Sequence, residues 1–411
     1  MESINLKPFS IEEQQFFGAS ERVELKELNL DFQENEIRYL GLNPYNFGVS
    51  YYIGIDWLKE NESYIVVHPK IPNLDYVKMF VNCLKYPDIS KFLKNAYCID
   101  FNKPQIRTST VDWNLTPFLI VHFISLVENI IKHDLKSNYI VNEENLNSKI
   151  KGKIVFSQQI KKNIVCKRED RIYCRYQEYD TNCIENRLLK KTLLFIQRYS
   201  KHHMSEYPAF LQKQNRLLSA FDNISDEISY SDIIHIKNNA LYKEYTEAID
   251  LAKKILRHFG YSYKNADIAE NKELPPFWIN MSKLFELYIF CLLKDEYGGN
   301  ITYQQRGNYG EVDFLKIDEK LIIDAKYKLV YTKDGEYDIE NIRQLSGYAR
   351  DKGVLKKLKV DENFVVDCVI IYPDEKSDDN FKDRNLKNHE IEQFAKFYKC
   401  GICLPKKKNK K

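Results

Sequence analysis

Two runs of the sequence carry residues able to do acid and metal chemistry together. Val312–Ile317 and Lys320–Lys326 read as strands around Asp318-Glu319. With the turn centred between those two residues, Ile317 faces Lys320 and Asp313 faces Asp324. Opposed residues of an antiparallel pair hold their Cβ atoms roughly 4.5–5.5 Å apart. Two carboxylates that close repel unless a cation lies between them, and magnesium, with oxygen ligands at roughly 2.0–2.1 Å, fits the gap. Lys326 lies two residues past Asp324 and so projects from the same face, whereas Ala325 points to a core. Leu321-Ile322-Ile323 is continuously apolar, as in a strand buried on both faces. Charges at its end are costly unless paired or metal-bound. A bound ion would polarise a phosphodiester and activate a water, and Lys326 would orient that water or offset transition-state charge. The plainer alternative is a surface hairpin with a salt bridge from Lys326 to either aspartate.

The elements that position these residues follow from the flanking sequence. Residues 280–295 predict a helix capped by Asn or Ser, with Glu286 inside an apolar-rich stretch. After the hairpin a further helix carries Gln344 and Tyr348, which share a face at i and i+4. Residues 1–112 read as β-rich, with strand candidates at Glu36–Leu40, Tyr64–Pro69 and Tyr76–Val81. Phe118 to Ile131 is apolar, but too short for a bilayer and interrupted by His122, Ser125, Glu128 and Asn129. It predicts a buried helix near 116–133. Residues 184–260 read as mostly helical, with Gly260 as a C-cap. Pro275-Pro276 marks a boundary near 265–277.

These observations give an α/β chain, α+β overall. The expected parts are a β-rich region with one buried helix (1–155), a mostly helical region (156–265), a C-terminal domain carrying the acidic pair (266–405) and a disordered basic tail (406–411). The length of 411 residues suits two or three domains. A net charge of +3, from 62 basic and 59 acidic residues, does not mark the whole chain as a nucleic-acid binder. Local clustering remains: residues 146–175 place nine lysines and arginines against Glu169 and Asp170, either as a solvated strand pair or as a contact for nucleic acid or protein. Nine scattered cysteines and no visible export signal suggest a cytoplasmic protein with reduced thiols. The single Cys400-x-x-Cys403 pair is weak evidence for zinc.

Glu286 on a helix, Asp313, then Asp324-Ala325-Lys326 resembles the PD-(D/E)XK nuclease superfamily, and Gln344-x-x-x-Tyr348 is similar to the QxxxY of its RecB-type members. The finer resemblance is to the McrC family, the nuclease subunit of McrBC-type restriction systems. It rests on DAKYK (324–328), RQLSGYA (343–349) and LFELYI (284–289), and less specifically on HPKI (68–71), residues 137–154 and ENRLLKKTL (185–193). The superfamily usually has Pro before the first aspartate, where this chain has Val312. The resemblance implies a Mg2+-dependent deoxyribonuclease with a C-terminal restriction-endonuclease-like PD-(D/E)XK nuclease domain (266–405) and a partner-binding N-terminal region (1–155). Asp313 and Asp324 would be metal ligands, Lys326 and Glu286 catalytic, and Gln344 and Tyr348 would support the site or the nucleic acid. It also implies modified double-stranded DNA as substrate, and as partner a McrB-like AAA+ GTPase ring that the chain stimulates. GTP would act only through that ring, because no GxxxxGK[ST] phosphate loop occurs in the sequence. The other readings are a stand-alone RecB-like nuclease and a catalytically silent regulator of an AAA+ partner.

Overall fold

The computed structural model describes residues 6–32, 37–86, 89–93, 95–108, 116–205, 207–236, 243–262, 272–333 and 335–407. The chain divides into two compact units, one of residues 1–114 with 269–411 and the other of residues 115–268.

In the first unit, strands β1 (Lys7–Glu12), β2 (Tyr52–Lys59), β3 (Ser63–His68) and β4 (Tyr97–Ile99) come from the N-terminal part, with the short β5 (Ile106–Thr108) after them. The second unit contributes β6 (Asn138–Asn147), β7 (Lys153–Ile154) and β8 (Arg171–Asp180). After it come β9 (Lys272–Leu274), β10 (Phe277–Asn280), β11 (Ile301–Arg306), β12 (Glu311–Lys316), β13 (Leu321–Ala325), β14 (Asp367–Pro373), β15 (His389–Glu390) and β16 (Phe397–Ile402). One sheet has the order β1-β3-β2-β10-β4, and a second has β11-β12-β13-β14-β16-β15.

The placement of β10 corrects the expected fold class. It lies antiparallel between β2 and β4, with Phe277 opposite Ile55 on one side and Ile99 on the other. Withdrawing it would leave unpaired backbone groups on both neighbouring strands, of which β2 is buried along most of its length. Gly54 makes the junction tight: its φ is +145°, and a Cβ there would lie 2.2 Å from the Phe277 carbonyl oxygen. The C-terminal segment is therefore not a discrete restriction-endonuclease-like domain. It closes a mixed α/β unit together with the N-terminus.

Tyr76–Val81 is a helix, Tyr76–Cys83, and not a strand. Asp75 caps it by accepting the Lys78 amide, and Tyr76, Met79, Phe80 and Cys83 recur at the helical period and are buried. That buried stripe outweighs the β-branched content. Tyr64–Pro69 contributes to β3, whereas Tyr39–Gly41 is a 3-10 turn, Glu36 lying outside the described residues. Residues 263–271 and 408–411, where part of the boundary and most of the basic tail fall, also lie outside them.

In the second unit the helix Thr116–Lys132 is buried along most of its length, with the helices Ile184–His203, Pro208–Ser219 and Lys243–Ser262 following. The last runs through Gly260, so that residue is not its C-cap. Of the basic stretch only Arg171 and Arg175 lie on the antiparallel ribbon of β6 and β8, the rest falling on β7 and the segments around it, and Glu143 and Glu178 pair with Arg175 and Lys151. Among the described residues no helix is long and apolar enough to cross a membrane.

Candidate functional site

The second sheet of the first unit brings the predicted acidic pair together. β12 and β13 pair as Phe314↔Ile323, Leu315↔Ile322 and Lys316↔Leu321, and continuing this register sets Asp313 opposite Asp324. Ile317–Lys320 forms the turn, its last amide reaching back to the Ile317 carbonyl and Lys320 taking a φ of +56°. Alternation along the strands sorts the side chains. Phe314 faces the helix Met281–Tyr297, its ring 6.2 Å from that of Phe290. Leu315 and Ile322 pack in the core with Ile342 and Leu345 of the helix Ile339–Tyr348. Asp313 and Asp324 share the latter face, beyond the end of that apolar patch.

Asp324 is buried, with its side chain 3% exposed, while Asp313 is half-buried. An Asp313 oxygen accepts the Ala325 amide at 2.9 Å, so this carboxylate is fixed across the hairpin. Burial holds the Asp313 carboxyl well above the usual range, and the charges of Asp324 and Glu286 push it the same way. Burial also raises Asp324, against the pull of Lys326 and a hydrogen bond with Asp313. The two therefore titrate as a pair that retains a proton where an exposed carboxylate has lost it. Asp324 Oδ2 is buried and accepts no hydrogen bond of good geometry, although Lys326 Nζ stands 2.8 Å away as an ion pair. Negative charge here is incompletely compensated.

Lys326 links the pair to the neighbouring helix. Burial disfavours its charge, but Asp324 and Asp313 outweigh that and raise its pKa. Its ammonium donates to Gln344 Oε1 at 3.0 Å, and Gln344 Nε2 donates to the Tyr348 hydroxyl at 3.0 Å. The spacing of Gln344 and Tyr348 thus produces one continuous polar chain from helix to carboxylates. Glu286 stands apart from direct contact. It accepts from Lys283 at 2.8 Å, the Tyr303 hydroxyl at 2.8 Å and Gln304 at 3.3 Å, and acts on the aspartates through its charge. Its helix starts where expected, with Asn280 Oδ1 capping the Lys283 amide.

Glu13 and Lys70 anchor the same segment, and the sequence reading missed them. Tyr327, next to Lys326, is buried and donates its hydroxyl to Glu13 Oε1 at 2.9 Å. Lys70 Nζ donates to the Tyr327 carbonyl at 2.7 Å and lies 3.9 Å from its ring centroid. Burial pushes Glu13 up to about 7 and Lys70 down to about 8. The HPKI segment was a visible signal for Lys70, whereas nothing local distinguishes Glu13 from other glutamates. Cys400 is buried on β16 and Cys403 is partly exposed, both thiols raised by burial. Among the described residues no group of three or more His, Cys, Asp or Glu stands where it could hold a metal ion.

A family model described as "McrBC 5-methylcytosine restriction system component" matches residues 49–354. No curated protein matches the chain. Two solved assemblies from Thermococcus gammatolerans resemble it. One, a half-complex from a tetradecameric assembly of McrB AAA+ hexamers with bound McrC, has 15% identity, covers 96% of this chain and 94% of its own, and gives a TM-score of 0.37. The other, a McrBC complex, has 14% identity, 70% and 87% coverage and a TM-score of 0.32. Likenesses that distant support no assignment to a particular subunit.

These findings correct the finer expectations. The family match reaches a component of the restriction system and names no subunit. Membership of the McrC nuclease family is therefore not retained. The Mg2+-dependent PD-(D/E)XK deoxyribonuclease falls with it, because that activity rested on the subunit assignment. The separate McrB-like GTPase ring as partner and modified double-stranded DNA as substrate depended on that assignment and are withdrawn too. What stands is broader: with the match spanning most of its length, the chain belongs to the family of McrBC 5-methylcytosine restriction system components.

Proposed function

We propose that the chain serves a McrBC-type restriction system through a cation-dependent binding site for a phosphate-bearing ligand on its C-terminal sheet. Asp313 and Asp324 would hold a divalent ion, and Lys326 would place a second positive charge beside it. The observation that carries this reading is the opposed aspartate pair, proton-retaining and with a buried oxygen that accepts no directional hydrogen bond. Magnesium usually takes one or two protein carboxylates and fills its remaining positions with water and phosphate oxygens, so two aspartates suffice. When bound, the ion would neutralise the pair and present positive charge to phosphate oxygens.

The chain's own groups do the rest. Asp313 is held by the Ala325 amide, and Asp324 by its place at the end of a buried strand. Lys326 pairs with Asp324 and donates to Gln344, which Tyr348 holds in turn, so with a cation on the aspartates these residues would direct the Lys326 ammonium toward the ligand. Glu286 adds negative potential from the adjoining helix. The nine free cysteines agree with a cytoplasmic setting.

Manganese titration of the full chain tests the site. The wild type should bind the ion, and Asp324→Asn should lose more than about ten-fold in affinity. Equal affinity in the two proteins would remove the acidic pair as the site.

A further inference from the structure

The rim of this site carries an aromatic side chain that the preceding reading leaves unused. Tyr309 lies in the turn between β11 and β12 and is 98% exposed. Its backbone is nevertheless tightly held. The Gly307 amide donates to the Gly310 carbonyl at 2.7 Å. Asp351 accepts the amides of Asn308 at 2.7 Å and Tyr309 at 3.1 Å with one oxygen, and those of Gly353 at 2.7 Å and Val354 at 3.3 Å with the other. Those amides hold the Asp351 pKa below the usual carboxylate range, so it stays ionised in this role.

Glycine on either side of the turn brings it against the site. A Cβ at Gly310 would lie 2.6 Å from the Tyr348 ring, and one at Gly307 would lie 2.7 Å from Asp351 Oδ2. Tyr348 in turn joins Gln344, Lys326 and Asp324 by the contacts already described. The turn is thus mechanically continuous with the acidic pair. A large ring held in water on a fixed backbone gains nothing for folding, whereas a ligand that covers it gains apolar contact with little ordering cost.

We propose that Tyr309 is a stacking residue for a planar base, so that the phosphate-bearing ligand of the neighbouring site is a nucleotide unit. This rests on the phosphate-site reading above and narrows it. The base and the phosphate could belong to a free mononucleotide or to one residue of a strand, and stacking on an aromatic face suits any base.

The test uses the full chain with and without manganese. The probes are a short fluorescent single-stranded oligonucleotide, a nucleoside monophosphate and a base-free sugar phosphate. Tyr309→Ala should weaken binding of whichever base-bearing probe the wild type holds by about ten-fold. Tyr309→Trp should restore it, and neither change should alter manganese affinity or thermal stability. The sugar phosphate should compete equally in all three proteins. Preference for the oligonucleotide over the monophosphate identifies a strand as the source, and the reverse a free nucleotide. The proposal is overturned if Tyr309→Ala binds both base-bearing probes like the wild type, or if Tyr309→Trp is as weak as Tyr309→Ala. Absence of manganese binding in the wild type would instead sink the cation site alone, because the arm without ion still reports the stack.

Discussion

Asp313→Asn should stabilise the ion-free protein, and the size of the gain follows from the hairpin. Opposed residues put the two Cβ atoms about 5 Å apart, and full charges at about that separation in an effective dielectric of about 20 repel by roughly 3 kcal/mol. Lys326, 2.8 Å from Asp324, offsets part of this, and proton retention offsets more. A net gain of about 1–2 kcal/mol is expected at pH 8. The amide of asparagine keeps an oxygen for the Ala325 N–H, so the hairpin contact survives. Because the folded pKa of Asp313 is raised, the native state holds a proton that the unfolded chain has already released. The wild type therefore loses stability as pH climbs from the ordinary carboxylate range through the raised value. The advantage of Asp313→Asn should accordingly grow from pH 5 to pH 8. The assay is urea unfolding at both pH values in a chelator, repeated with manganese, which should stabilise the wild type and not the variant. A variant no more stable than the wild type at pH 8, with manganese stabilising both alike, would refute the repulsion argument.

Removing the Lys326 cation beside Asp324 should act in the opposite sense. Lys326→Met leaves a buried carboxylate without its ion pair, so ion-free stability should fall by about 2–3 kcal/mol at pH 8, and by less at pH 5, because the raised pKa of Asp324 favours its neutral form as pH falls. Urea melts at the two pH values check this, and an equal loss at both would contradict it. Gly54→Ala should cost at least about 3 kcal/mol, since the new Cβ would meet the Phe277 carbonyl at a positive φ. Limited proteolysis should then release the segment after β10. A variant as resistant and as stable as the wild type would mean that β2 and β10 are not tightly paired.

Local order was legible in the sequence wherever one short-range rule governed. The pairing of Asp313 with Asp324 followed from a four-residue turn and the two-residue period of strands, and β12 and β13 keep that register. The helix carrying Glu286 followed from its asparagine cap and apolar content, and Gln344 and Tyr348 from their spacing of four. Where two rules competed, the sequence did not decide. Tyr76–Cys83 has the residue types of a strand and the period of a helix, and the stripe buried by Tyr76, Met79, Phe80 and Cys83 settled it. Partners distant in sequence were decided by tertiary structure alone. No local pattern says that β10 inserts between β2 and β4, or that Glu13 receives the hydroxyl of Tyr327 over a separation of 314 residues. Such contacts depend on which backbone edges and polar groups would otherwise be buried unpaired, a condition that exists only once the whole sheet is assembled.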